Sequence, residues 1–319
     1  MLDEKLINGL QKKYGQDILF SLSDREDRSK KVETIPTGIT SIDQASGVGG
    51  IPRGRITEIF GGESSGKSTL CLHIAKEAQQ MGGNVVYVDM EATFDEMYAE
   101  NVGVNIENNF MISYPDTGEE AFDVVETLVR SEKVDLVIVD SVSLLIPKAE
   151  LEGEMTDSNM GVMARMMGKG MRRLTQAVRR SNCALIFINQ VRDNIGGYGS
   201  PKVTSGGRAL KFSASMRIEL GRRTVTKESG IALGNDVRVL FVKNKVAPPL
   251  KECVVPIRFG EGFDFYGDIV NLAIQKELLK VARSWIVLPN EEKVQGRQRV
   301  IEVLKKDSEL CEDLLSQLL

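Results

Sequence analysis

Lys67 and Ser68 close an eight-residue run, Gly61-Gly62-Glu63-Ser64-Ser65-Gly66-Lys67-Ser68, whose residue types suit the holding of a phosphate. Its three glycines let the backbone turn N–H groups toward one point, at which the positive end of a following helix is also aimed. At this spacing Lys67 would reach the terminal phosphates of a nucleotide, and the Ser68 hydroxyl would hold magnesium. Arg55–Phe60 reads as a strand before the run, and from Thr69 onward apolar residues collect on one helical face. A plain glycine turn between strand and helix is the alternative reading.

Three further strands carry polar residues at the same place. The runs Val85–Val88, Leu136–Val139 and Ala184–Ile188 are short, continuous and β-branched, as buried parallel strands are. They end in Asp89-Met90-Glu91, Asp140-Ser141 and Asn189-Gln190. Ligands of open parallel sheets bind outside the carboxyl ends of the strands, so four tips converge on one nucleotide. Asp140 then reads as a metal-associated carboxylate acting through water, or alternatively as a helix N-cap. Glu91 is the candidate to orient or activate a water for attack on the terminal phosphate, the alternative being a solvated loop carboxylate. Gln190 could sense that phosphate and pass the signal onward, unless it is an ordinary strand-end amide. His73 is the only histidine and sits one turn into the helix after the loop, which argues against a serine or cysteine nucleophile activated by histidine.

Positive charge gathers near these tips. The net charge is −4, yet residues 150–223 hold thirteen Lys or Arg against six Asp or Glu. Arg165, Lys169, Arg172, Arg173 and Arg180 recur at helical spacing with no acid among them, which predicts one basic helix face. Met163, Met166, Met167 and Met171 read as core filling on the opposite side. The segment 191–208 has five glycines, three basic residues and one aromatic, and is predicted to be a mobile loop. Its glycine N–H groups and cations suit a phosphate backbone, while Ile195 and Tyr198 suit contacts with bases. A long loop with no ligand is the competing reading.

The remaining chain must position these parts. It has 319 residues, 42% of them apolar and 27% charged, within the range of globular proteins. No apolar run approaches membrane-spanning length and the N-terminus lacks a signal-peptide layout, so the expected compartment is the cytoplasm. The four cysteines lie far apart and read as reduced core residues. Residues 2–20 are predicted to form an amphipathic helix with too little surface for its own core, followed by a polar linker. The runs 216–220 and 237–242 read as antiparallel strands extending the sheet, and helical periodicity returns at 269–279 and 300–304.

Taken together the motifs resemble the bacterial RecA recombinase family. The matching residues are 61–68, Pro115-Asp116-Thr117-Gly118-Glu119, Val139-Asp140-Ser141-Val142, 148–154, Ala164-Arg165-Met166-Met167, Phe187–Arg192 and Val242-Lys243-Asn244-Lys245, in order over nearly the whole chain. The resemblance implies an α/β fold: a P-loop nucleotide-hydrolase core of RecA type with a mostly parallel central sheet, an N-terminal helix and a small C-terminal α/β domain. The expected divisions are an oligomerisation arm at 1–32, an ATPase core with DNA-binding loops at 33–266, and a C-terminal domain at 267–319. The implied activity is a DNA-dependent ATPase that forms helical filaments on single-stranded DNA and catalyses homologous pairing and strand exchange with double-stranded DNA. ATP and Mg2+ are the implied cofactors, and a repressor co-protease role is a further family property.

Residue by residue, the resemblance makes Glu91, Lys67 and Gln190 catalytic, with Glu91 the catalytic carboxylate and Gln190 the link from ATP to DNA, and makes Asp140 the metal-associated carboxylate. Gly61, Glu63, Ser64, Ser65, Gly66, Ser68 and Thr69 then line the phosphates, Asp95 and Tyr98 match adenine contacts, and Lys243 and Lys245 match lysines inserted into a neighbour's ATP site. The first DNA loop maps to 150–157 with Met160 after it, and Arg165, Arg172, Arg192, Gly206, Gly207 and Arg208 match DNA contacts. Phe212 falls where that family links the second loop to the subunit interface. Departures are Ala92 in place of a histidine, a second loop about one residue shorter with Tyr198 where phenylalanine is common, and no acidic C-terminal tail. Weaker inhibition of duplex binding is the expectation from the last. Two other classes stay open: a ring helicase or motor of the same core, told apart by closed rings and fork unwinding, and an ATP-gated DNA-binding scaffold, against which Glu91 argues.

Overall fold

β-branched runs between glycine-rich turns give the protein its strands, and amphipathic stretches between them give the helices that cover the sheet. The structure, a computed structural model, describes residues 3–15, 18–19, 32–154, 161–193, 202–228 and 231–318. The chain divides into two compact units, residues 1–32 and 33–319. In the first, α1 (Glu4–Tyr14) is capped by the Asp3 carboxylate on Lys5 N–H and buries none of its side chains. It is shorter than the predicted 2–20 because Gly15, at φ 98°, ends it.

The second unit begins with β1 (Thr34–Ile35), α2 (Thr40–Ser46), β2 (Ile51–Pro52), β3 (Ile56–Gly61) and α3 (Lys67–Gln80). It continues through β4 (Val85–Asp89), α4 (Glu96–Val102), β5 (Phe110–Ser113), α5 (Gly118–Arg130), β6 (Leu136–Asp140), α6 (Lys148–Leu151) and α7 (Val162–Arg179). Next come β7 (Ala184–Asp193), β8 (Lys202–Thr204), α8 (Gly207–Ser213), β9 (Met216–Glu228), β10 (Ile231–Asn244), β11 (Glu252–Arg258) and β12 (Gly262–Phe263). The last elements are α9 (Phe265–Gln275), β13 (Lys280–Ala282), β14 (Trp285–Val287), β15 (Lys293–Gln295), α10 (Arg297–Lys306) and α11 (Ser308–Leu318).

The main sheet has the order β12-β11-β10-β9-β3-β7-β6-β4-β5. Strands β9, β3, β7, β6, β4 and β5 run parallel, whereas β10, β11 and β12 attach antiparallel. The antiparallel expectation therefore holds from β10 onward, since β9 itself joins β3 in parallel. One apolar cluster fills the space under α3 on one face, and another lies under α5 and α7 on the other. Met166, Met167 and Met171 are buried in the latter and Met163 packs against it, as predicted. A third cluster joins α9, α10 and α11 to the three-stranded sheet β13-β14-β15. The helix predicted over 269–279 stops at Gln275, and Leu279 enters that cluster from the turn.

Candidate active site and nucleic-acid interface

The phosphate-loop residues leave the top of β3 and enter α3, whose N-cap is Gly66 at φ 89°. A side chain there would be strained by the left-handed backbone and would crowd Ile257 Cδ1 at 3.3 Å, so the position favours glycine. Lys67 is buried, and its Nζ donates to the Gly62 carbonyl at 2.7 Å. Burial pulls the Lys67 pKa below its ordinary value, while Asp140 and Glu91 push it back up. Ser68 Oγ donates to Asp140 Oδ2 at 2.8 Å, and the Tyr87 hydroxyl donates to the same oxygen at 2.6 Å. Asp140 is thus no helix cap but part of a bonded set with the first turn of α3. Burial raises its pKa, against the lowering effect of the bonds from Tyr87 and Ser68.

Glu91 is presented by a loop that one buried side chain shapes. The Asp89 carboxylate accepts from the N–H groups of Glu91 and Ala92 on one oxygen, and of Thr93 and Phe94 on the other, at 2.9–3.0 Å. Ala92 sits in the left-handed region at φ 52°, where the chain reverses. Glu91 Oε1 accepts from Ser141 Oγ at 2.8 Å and from Gln190 Nε2 at 3.3 Å. The tips of β4, β6 and β7 meet on one carboxylate oxygen.

Beside them, Asp95 caps α4 by accepting from Tyr98 N–H at 2.9 Å, and the Tyr98 hydroxyl lies 2.9 Å from Thr69 Oγ1. Ser68, Glu91, Asp95, Tyr98 and Asp140 all line one cavity of 140 Å³. A larger hollow of 660 Å³ lies between α2, β11 and α9. It is flanked by none of the strand tips, so the smaller cavity is the candidate site.

Other predicted residues lie elsewhere. Lys243 lies one residue from the end of β10 and Lys245 just past it, and that end pairs with the start of β9 and so lies level with the beginning of β3, at the opposite end from the phosphate loop. Lys243 Nζ donates to the carbonyls of Lys211 and Phe212 at 2.6 and 3.3 Å, at the end of α8, and Lys245 is exposed. Burial first, then the neighbouring Lys245 and Arg217, lower the Lys243 pKa. Phe212 beside them is 71% exposed.

Arg165, Arg172, Arg192 and Arg208 are all exposed. The predicted single basic face is corrected at one position. Arg173 binds Asp123 at 2.9 Å and Glu126 at 2.5 Å, fastening α7 to α5. The predicted loop 191–208 is also corrected at its ends. Val191, Arg192 and Asp193 extend β7 and pair with Thr204, Val203 and Lys202 of β8, and Gly207 opens α8. Gly206, at φ 78°, brings its backbone so close that a Cβ would lie 2.8 Å from Val142 Cγ1. Met160, Ile195 and Tyr198 lie outside the described residues, as do 155–157 of the first predicted DNA loop.

Sequence reasoning placed Asp89, Ser141 and Asn189 at the strand tips without giving them individual roles, and gave none to Tyr87, Glu58 or Arg217. A signal existed for Glu58, a charge in the middle of the strand that leads into the phosphate loop. His73 is buried with its Nε2 accepting from Phe263 N–H at 3.0 Å, a packing role that ties α3 to β12.

A parallel sheet with a phosphate loop at its central strand and carboxylates at the adjacent tips defines a P-loop ATPase. The RecA N-terminal domain family model matches residues 2–264, most of the chain. Protein RecA of Chloroherpeton thalassium is 46% identical, covering 99% of this chain and 89% of that protein. Protein RecA 2 of Myxococcus xanthus is 44% identical, covering 99% and 88%. The chain belongs to the RecA family. A crystal structure of the RadB recombinase aligns with a TM-score of 0.55 over 72% of this chain and 98% of that one; at 23% identity it shows the shared fold. Membership makes the protein a DNA-dependent ATPase of recombination, which binds nucleotide and DNA and forms filaments.

Proposed function

We propose that the chain polymerises as a helical filament on single-stranded DNA, pairs it with homologous double-stranded DNA, and works in the cytoplasm with its ATP state setting its grip. The observation that carries this reading is the bond from Gln190 Nε2 to Glu91 Oε1. It joins the residue that handles the attacking water to the strand that continues into the glycine-rich segment. Glu91 accepts a proton or hydrogen bond from that water, and Lys67 neutralises charge on the terminal phosphate. Gln190, released from or drawn to Glu91 according to what occupies the site, carries the state of the phosphate into Arg192.

Mg2+ fits this site. Ser68 Oγ and Asp140 offer hard oxygen donors beside two further carboxylates, Asp89 and Glu91. Ser68 would ligate the cation directly and Asp140 through water, and it would neutralise charge on the phosphates.

Asp95 and Tyr98 fit the adenine contacts, with Tyr98 already fixed against Thr69. Arg165, Arg172, Arg192 and Arg208, together with Gly206 and Gly207, present the DNA surface, with Met160, Ile195 and Tyr198 assigned from the sequence. Lys243 and Lys245 serve the ATP site of a neighbouring subunit, because their end of the sheet faces away from their own, and Phe212 lies at that interface. Residues 1–32 act as the polymerisation arm, 33–266 as the ATPase core and 267–319 as the C-terminal domain. A repressor that self-cleaves on the filament is a further proposed partner.

Electron microscopy with single-stranded DNA and a non-hydrolysable ATP analogue tests the reading. Open helical filaments support it, while closed rings or dispersed monomers overturn it.

A further inference from the structure

Glu58 sits in the central strand with no exposed surface, three residues before the phosphate loop. One carboxylate oxygen accepts from Arg217 Nε on β9 at 2.5 Å, and the other accepts from Asn189 Nδ2 on β7 at 2.9 Å. Arg217 stands directly opposite Glu58 in the sheet register and lies over the Phe60 ring, 4.5 Å from its centroid. The ion pair is thereby locked in place. Asn189 is fully buried and all of its side-chain polar atoms are engaged. Its Nδ2 also donates to the Ser205 carbonyl at 2.9 Å, and its Oδ1 accepts from Gln190 N–H at 2.9 Å. A buried amide satisfied on every side has one arrangement, so the groups bonded to it share that arrangement.

Two of those groups belong to opposite arms of the glycine-rich segment. Gln190 precedes the outgoing arm, and Ser205 lies on the returning one, just before Gly206, Gly207, Arg208 and α8. The ladder of β7 with β8 joins the two arms through 191–193 and 202–204, and the Asn189 amide adds a buried side-chain tie at Ser205, just beyond the end of that ladder. We propose that Glu58 and Asn189 are positioning residues, forming a buried clamp that makes Gln190 and the returning arm at Ser205 move as one body. A change at Glu91 is then delivered to both arms together. Beyond Ser205 the rigid path continues through α8 to the Lys211 and Phe212 carbonyls held by Lys243. This inference rests on the reading of Gln190 as the nucleotide sensor.

The test compares the affinity for a fluorescent single-stranded oligonucleotide with an ATP analogue and with ADP, for the full chain and the variants Gln190→Ala, Asn189→Ala and Glu58→Gln. The ratio of the two affinities measures the coupling, and removing a coupling element lowers such a ratio by about tenfold. Asn189→Ala is expected to lower it to that extent while keeping fluorescent-ATP binding and cooperative thermal unfolding. Glu58→Gln, which keeps an acceptor for Asn189, is expected to shift it the same way by less. A folded Asn189→Ala with the unaltered ratio overturns the clamp if Gln190→Ala has lost the ratio. If Gln190→Ala keeps the ratio, the sensor reading fails and the clamp falls with it. An unaltered ratio in Glu58→Gln removes Glu58 from the unit. Hydrogen exchange on the unmodified protein supplies a readout independent of variant folding. Adding the ATP analogue should slow exchange in 188–193 and in 205–210 together, and a response that stops at the β8 ladder, at 204, refutes the proposal.

Discussion

At the scale of single residues, the proposed chemistry turns on Glu91. Its carboxylate is held from two strands, by Ser141 and Gln190, so its position is set before any water is bound. Replacing the acceptor oxygen with an amide keeps the shape and removes the base. Glu91→Gln is therefore expected to lower the DNA-stimulated ATPase rate by about 100-fold or more, the usual worth of a general base, with nucleotide binding retained. Phosphate release at saturating ATP and single-stranded DNA checks it, and an unchanged rate would remove Glu91 from the chemistry.

At the scale of elements, the β4 tip and the central strand each depend on one buried carboxylate. Asp89 holds four backbone N–H groups, so Asp89→Asn turns an amide toward donors that need an acceptor. It is expected to cost about 2–4 kcal/mol in urea unfolding, on the basis of hydrogen bonds to a charged group, and to lower kcat by displacing Glu91. Arg217→Met should cost about 3–5 kcal/mol, because Glu58 is left buried and unpaired. Adding Glu58→Gln to that variant should recover a large part of the loss, and a double-mutant cycle that came out additive would show that the pair does not interact. The central strands β4, β6 and β7 were legible in the sequence because continuous apolar runs report burial on both faces. The pairing of β8 with β7 was not, because Lys202, Val203 and Thr204 are three residues inside a glycine-rich stretch, and their ladder comes from the partner strand.

At the scale of the molecule, buried titratable groups set how stability follows pH. Burial raises Asp43 from 3.8 to about 7 and Asp268 from 3.8 to about 6, partly offset by bonds from Thr37 and Ser41 respectively. These two bind protons more readily folded than unfolded, so their stabilisation is full below 3.8 and is lost as pH rises through 6 and 7. His73, which burial lowers from 6.5 to about 4, works the other way and adds stability as pH rises from 4 to 6.5. Above 6.5 the Asp43 effect stands nearly alone. Stability is expected to fall by about 1 kcal/mol between pH 6 and 8, and Asp43→Asn should abolish the fall in urea titrations at the two pH values. Assembly belongs to this scale too. If Lys243 and Lys245 complete a neighbour's site, the ATPase rate per chain should rise with protein concentration on long single-stranded DNA, and Lys245→Ala should blunt that rise. A concentration-independent rate would leave each site self-sufficient.

Local chemistry is what the sequence determined by itself. A phosphate loop needs glycine, lysine and serine at fixed spacing, and buried parallel strands announce themselves by composition, so Lys67, Ser68, Glu91, Asp140 and Gln190 could be named and placed at strand tips. Tertiary structure alone decided which side chains share a hydrogen bond across those tips. Asp89 folds the Glu91 loop through backbone N–H groups that every sequence possesses. Glu58, Asn189 and Arg217 meet only because β3, β7 and β9 are neighbours in the sheet, although 131 residues separate Glu58 from Asn189. Arg173 left the basic face for the same reason. Charge patterning shows where a side chain leaves its helix, but the packed neighbour decides what it meets there.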